Sequence, residues 1–237
     1  MIVKGAPGPP PRYHVRMSSD PFWERPEIVE RFAVRPPDRR VLERLRALPV
    51  PSRLRVLDLG CAAGRNTEPL ARAGCDVHAL DASEAMVRRT RARLAPLLGP
   101  AEAERRVRTG RLDDLGEFPD GRFDLVLALG IFDHAGSMAE WDRALAETSR
   151  VLAPGGEVEV SDFAPDARIE GRGAKPVRGE DHVFLVPEEG RRVLLDVAAH
   201  DRAFAAHGLR PVGRTGIVVR DAEHGRHVTV RGTYRKD

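Results

Sequence analysis

The clearest signal along the chain is an alternation of short apolar runs with amphipathic stretches between residues 54 and 161. Apolar runs at 54–59, 75–80 and 123–129 are too short for buried helices and read as strands, the last one apolar enough to be covered on both faces. Short strands are also predicted around 106–108 and over 157–161. Helices are predicted between them: one ending at Gly74, one over 83–97 capped by Ser83, and one over 138–152 stopped by Ala153-Pro154-Gly155-Gly156. Parallel strands joined by helices imply right-handed crossovers and therefore an α/β domain of three layers, α/β/α.

The flanks are less regular. Residues 1–19, with Gly8-Pro9-Pro10-Pro11, read as a disordered leader, and Met17 is a second candidate start. A helical cap is predicted over about 20–50. Asp20 caps a helix with Pro21 at its first position, and Phe22, Trp23, Ile28, Val29 and Phe32 form one apolar face. A second helix spans 38–48 with Val41, Leu42, Leu45 and Leu48 on one side. Residues 164–190 form an insert, polar and Gly-rich over 164–182, that reads as a loop. One helix lies within 193–208, followed by an antiparallel hairpin of 210–220 and 226–235. The division is thus a leader at 1–19 and a single domain over 20–237.

Composition narrows the classes. Of 237 residues, 32% are charged, and 39 Lys plus Arg against 36 Asp plus Glu leave a net +3. The two signs are interleaved, which describes a solvated surface rather than a nucleic-acid footprint. The two cysteines, Cys61 and Cys75, have no CxxC partner, so neither a disulfide framework nor an all-Cys zinc cluster is implied. The histidines show no zinc spacing with cysteine partners, and no metal is expected. Without an apolar leader or a run of about 18 apolar residues, the expectation is a cytoplasmic protein with no membrane partner.

Candidate chemistry sits at the first strand–helix turn. Gly60 and Gly64 let the backbone pass close to a ligand, beside the free N–H groups of the next helix. Asp81 follows Gly60 by 21 residues at the end of the second strand, where a carboxylate can bind ribose hydroxyls. The turn lacks the Gly-x-Gly-x-x-Gly of dinucleotide sites, since Ala62 stands at the third position, and no phosphate-binding Gly-x-x-x-x-Gly-Lys-Ser/Thr occurs. Asp58 two residues before Gly60 disfavours a pyrophosphate; it either orders the turn or faces a cationic group. An adenosine ligand with a sulfonium suits that polarity.

In these segments the chain resembles the class I S-adenosylmethionine-dependent methyltransferases. The resemblance rests on residues 56–66, 78–86, 118–126 and 150–156, in the family's order, and covers about 50–162, or to about 235 with the hairpin. It implies a seven-stranded, mostly parallel sheet of order 3-2-1-4-5-7-6 with the last strand antiparallel. It also implies S-adenosyl-L-methionine as cofactor. Asp58, Gly60, Cys61 and Ala62 would lie along the methionine part, Asp81 on the ribose, and Ala82 near the adenine. After the third strand the usual Gly-Asp-Ala is replaced by Gly110-Arg111-Leu112, so the adenine contact falls to Leu112 through its backbone, or to Asp113. Leu129 and Gly130 match the backbone contact to the amino-acid part. Ile131, Phe132 and His134 are expected on the substrate side.

Several residues carry two readings. His134 is either a general base or a helix-start residue bonded locally. Trp23 either covers the cofactor or packs on the sheet, and Arg35 either reaches the cofactor carboxylate or belongs to the surface. Cys61 is a small buried filler rather than a thiol nucleophile, having no positioned base. The expected function is methyl transfer to a small-molecule acceptor at O or N by a monomer or homodimer. RNA or protein methylation is the alternative, although the Asn/Asp-Pro-Pro-Tyr/Phe signature of nucleic-acid amine methylation is replaced by Leu129-Gly130-Ile131-Phe132. A catalytically silent cofactor-binding protein is a further alternative. The insert, with residues 13–35, is the expected specificity element.

Overall fold

The apolar run Phe-Asp-Leu-Val-Leu-Ala-Leu forms β4 (Phe123–Leu129), in which Leu125, Val126, Leu127 and Ala128 are all buried. A strand apolar on both faces has to be covered twice. In this computed structural model, which describes residues 21–48, 50, 53–169, 172–186, 189–222 and 225–237, β4 lies mid-sheet between β1 (Arg55–Leu59) and β5 (Leu152–Phe163), parallel to both. The expected leader and the Asp20 cap lie outside the described residues.

The main sheet continues through β2 (Asp76–Asp81) and β3 (Val107–Thr109) on one side of β1. Beyond β5 comes β13 (Gly225–Lys236), antiparallel to it, and then β11 (Leu209–Pro211) and β12 (Gly216–Ala222), both paired with β13. The order is therefore 3-2-1-4-5-7-6 with the sixth strand in two pieces, making eight strands rather than seven. The break follows Pro211, and Gly213 at φ +80° turns the chain between the pieces.

Side-chain alternation builds the layers. Val56, Val77, Leu125 and Leu127 pack with Leu70 of α4 (Thr67–Arg72), Val87 and Leu94 of α5 (Glu84–Leu98) and Val41 of α3 (Arg39–Ala47). Their neighbours Leu57, Leu59, Val126 and Ala128 face the other way. They meet Trp141 and Leu145 of α7 (Met138–Val151) and Phe204 of α8 (Val197–Ala206).

Local departures have local causes. The predicted first helix is split into α1 (Pro21–Glu24) and α2 (Pro26–Ala33), because Pro26 drives Arg25 to an extended φ −69°, ψ 130°. A short α6 (Pro100–Arg106) precedes β3, separated from α5 by Gly99 at φ +84°. The insert is not a loop throughout. It holds two short paired strands, β6 (Arg168–Ile169) and β7 (Arg172–Gly173). It also forms an antiparallel three-stranded sheet of β8 (Lys175–Pro176), β9 (Val183–Val186) and β10 (Gly190–Val193). Val183, Val186 and Val193 anchor that sheet by burial. Because Val193 completes β10, α8 starts later than predicted, at a cap in which Asp196 accepts from the Ala199 N–H at 2.7 Å. No described helix is long and apolar enough to cross a membrane.

Candidate active site

The turn after β1 bends back toward β2. The N–H groups of Gly60 and Cys61 both donate to the Leu80 carbonyl, at 2.8 and 3.0 Å. Gly60 sits at φ +66°, and a Cβ there would lie 2.7 Å from Ile131 Cδ1, so the position demands glycine twice over. Ala62 also adopts positive φ, +47°, which costs an alanine free energy and needs support from its surroundings. Two hydrogen bonds provide it: Ala62 N–H to Asp81 Oδ2 at 2.8 Å, and Thr90 Oγ1 to the Ala62 carbonyl at 2.6 Å.

Asp81 thereby joins the two loops. Its Oδ1 accepts from Ser83 N–H at 2.9 Å, so backbone N–H groups hold both carboxylate oxygens. Burial pushes its pKa up to about 6, against the lowering by those backbone N–H groups. Asp58 is also raised to about 6 by burial, opposed by the 2.7 Å hydrogen bond from Thr67 Oγ1 at the start of α4. Asp58 thus orders the helix entry and lines the cavity as well. Two desolvated carboxylates at one site favour a ligand that brings positive charge or hydroxyl donors. The Cys61 thiol is raised well above its ordinary value by burial, which leaves it no nucleophile.

One cavity collects most of the predicted residues: Asp58, Gly60, Cys61, Ala62, Asp81, Ala82, Leu112, Leu129, Gly130 and His134 all line it. Two stand apart. Asp113 is not among the lining residues; Arg111 holds it with two hydrogen bonds, at 2.8 and 2.9 Å, and Arg143 adds a third at 3.3 Å. Arg35 is exposed, its guanidinium 4.1 Å from the Phe32 ring centroid, and does not line the cavity either. Arg65, which does line it, is the arginine nearest in sequence to the turn, and only its place in the 56–66 motif pointed to it. Trp23 lines the cavity and packs in one cluster with Ala63, Met86 and Phe32 rather than on the sheet. Phe132 departs from expectation. The 3-10 helix Phe132–His134 turns it away from the cavity, fully buried against Trp141 and Phe204.

The wall around His134 comes from sequence far away. Its ring lies 5.4 Å from that of Trp23, while Glu189 of the insert and Arg191 and Arg192 just beyond it also line the cavity. Burial, then the Arg192 charge, hold the His134 pKa well below 6.5, so the imidazole is neutral at physiological pH. No periodicity pointed to residues 189–192; only the general placement of specificity in the insert came near.

Residues 56–156 match the family model described as a methyltransferase domain. The chain is 31% identical over 170 residues to a ubiquinone biosynthesis O-methyltransferase of Chelativorans sp. (strain BNC1), covering 70% of this chain and 62% of that one. It is 38% identical over 162 residues to a malonyl-[acyl-carrier protein] O-methyltransferase of Halorhodospira halophila, covering 68% and 51%. Over residues 56–156 the chain carries a methyltransferase domain. A solved 1,6-didemethyltoxoflavin-N1-methyltransferase of Burkholderia thailandensis, with bound S-adenosylhomocysteine, shares the fold at TM-score 0.56 and 23% identity, over 77% of this chain and 71% of that one. The matches span from 38% to 62% of the length of the curated relatives, so they speak for the shared methyltransferase domain.

Proposed function

We propose that this chain binds S-adenosyl-L-methionine in the cavity between the Gly60 turn and Asp81 and catalyses methyl transfer to a small-molecule acceptor at oxygen or nitrogen. The observation that carries the reading is the joint placement of Asp81 and the positive-φ Gly60–Ala62 turn on one cavity. The donor set fits the cofactor: two desolvated carboxylates for a cationic, ribose-bearing ligand, and apolar Leu112 and Met86 for a flat base.

When bound, the cofactor supplies an activated methyl group on a sulfonium. The chain's own part is alignment and exclusion of water. Asp81 would hold the ribose hydroxyls, Leu112 and Ala82 would flank the adenine, and the backbone of Gly60–Ala62, with Leu129 and Gly130, would line the amino-acid part. Trp23 and Phe32 close the N-terminal side. Neutral His134 takes the proton that a hydroxyl or ammonium acceptor must release. The relatives' names cover O-methylation, and the Burkholderia structure's name an N1-methylation, which is why both atoms stay within the proposal.

The test is transfer of methyl label from S-adenosylmethionine to a panel containing a catechol, a carboxylic acid, a primary amine, an RNA and a protein extract. Label on a small molecule supports the reading. Label confined to RNA or protein assigns the alternative acceptor class. Cofactor binding with no labelled acceptor favours a catalytically silent binder.

A further inference from the structure

The buried groups behind His134 form an arrangement that cofactor binding does not use. Asp133, fully buried, is the middle residue of the 3-10 helix that carries His134. Arg192 on β10 is 3% exposed. One arm of its guanidinium donates to Asp133 Oδ2 at 3.0 Å, and the other pairs with Glu189 of the same hairpin. The second Asp133 oxygen, Oδ1, has no hydrogen-bond partner among the described residues. Burial pushes the Asp133 carboxyl up and the Arg192 charge pulls it back, so the ionised, paired form of this carboxylate depends on that cation.

The surroundings make Arg192 the central cation. The Asp133 backbone N–H approaches Asp162 Oδ1 at 3.4 Å, and the other Asp162 oxygen lies 3.2 Å from His200 Nε2. His200 Nδ1 then meets the Tyr234 hydroxyl at 2.9 Å, which donates to Asp201 at 2.7 Å. Arg192 therefore faces Asp133, Glu189 and, one step behind, Asp162. Its neighbour Arg191 turns elsewhere, donating to the Gly136 carbonyl at 2.9 Å and pairing with Glu180. The pairing of Arg192 with Asp133 joins residues 59 apart in sequence and ties the β9–β10 hairpin to the turn after β4.

We propose that Arg192 is a positioning residue for the acceptor: by clasping Asp133 beneath His134 and Glu189 in the hairpin, it holds the insert against the turn and so shapes the acceptor wall of the cavity. The proposal rests on the methyltransferase reading for the meaning of that wall, but the clasp is testable without turnover. The cofactor loops at Gly60 and Asp81 share no hydrogen bond with Arg192 among the described residues, so loosening the clasp separates the two halves of the site.

The experiment compares wild type, Arg192→Gln, Arg192→Lys and Glu189→Gln as full chains. Glu189 is the more exposed partner, so its variant keeps the test valid if Arg192→Gln fails to fold. Three readings are taken: S-adenosylhomocysteine affinity by calorimetry, amide exchange across 183–193, and the His134 ring titration by NMR with labelled histidine. In Arg192→Gln, S-adenosylhomocysteine affinity should stay within about twofold, hairpin exchange should accelerate roughly tenfold or more, and His134 should titrate at higher pH, with Arg192→Lys intermediate. Glu189→Gln should speed exchange less. With whichever panel acceptor is methylated, Arg192→Gln should raise its KM more than it lowers kcat. Unchanged hairpin exchange and His134 titration in Arg192→Gln, or in Glu189→Gln if only that variant folds, overturn the clasp. Wild-type protein that fails to bind S-adenosylhomocysteine overturns the cofactor reading instead, and leaves the exchange and titration results to decide the clasp.

Discussion

The two halves of the cavity are built from different materials. On the cofactor side, Gly60, Cys61 and Ala62 present backbone, and the contact that closes the site runs from Ala62 N–H to Asp81 across 19 residues. On the acceptor side, His134, Glu189, Arg191 and Arg192 present side chains, tied by an ion pair that spans 59 residues. A backbone-built half depends on chain conformation, so the residues that set it, Gly60 foremost, tolerate little change. A half built from side chains changes its chemistry by single substitutions, although the buried Arg192–Asp133 pair is costly to break.

The comparison breaks first at Gly60. Gly60→Ala meets both the positive φ and the collision with Ile131, so it should cost about 3 kcal/mol and abolish measurable cofactor binding. Thermal melting and calorimetry read the two effects together, and near-normal binding would mean that the turn is more pliant than its geometry implies. His134→Ala probes the opposite half. Turnover should fall about 100-fold with cofactor affinity unchanged, the scale for loss of a general base. Around neutral pH the wild-type rate should be flat in this group, because burial holds its pKa well below the ordinary histidine value. A rate that ignores the substitution restores the bland reading of His134 as a local turn residue. Asp81→Ala should weaken cofactor binding by about 2 kcal/mol, the loss of charge-assisted hydrogen bonds, with partial unfolding of the Ala62 turn seen as faster amide exchange.

The smallest effect is in pH. Asp58 and Asp81 have folded pKa values near 6, above the carboxylate range of the unfolded chain. The ligand-free fold therefore takes up protons that the unfolded chain does not, and loses stability from these groups as pH rises through about 6. Cofactor binding uses the ionised form of Asp81, so its affinity should decline as pH falls through the same value, by up to about 1.4 kcal/mol per unit for one proton. Calorimetry at pH 7.5 and 5.0 measures the decline; a pH-independent affinity would place the ionised carboxylate outside the binding step.

What the sequence disclosed follows the same division. The alternation of strands and helices, the Gly60 turn and Asp81 were legible because each is a local pattern: an apolar run, a glycine where φ must be positive, an acid at a strand end; the sheet order followed only from the family resemblance. Leu112 lines the cavity while Asp113 does not, since Arg111 and Arg143 hold the aspartate aside, a competition that no spacing reveals. Arg35 and Arg65 are alike in type, and only the folded chain places Arg65 on the cavity and Arg35 off it. The family resemblance implies Phe132 on the substrate side; the 3-10 helix instead carries it into the core. The insert hid its strands because β8 and β6 are two residues long, and it hid Arg192 because a buried arginine is indistinguishable in sequence from the chain's many surface ones.

The central claim, that the Gly60 turn and Asp81 together form an S-adenosylmethionine site, is tested most directly by titrating that cofactor into the full chain in a calorimeter at pH 7.5. One molecule should bind per chain, with S-adenosylhomocysteine competing for the same site. Absence of binding heat, or binding that S-adenosylhomocysteine does not displace, would contradict it.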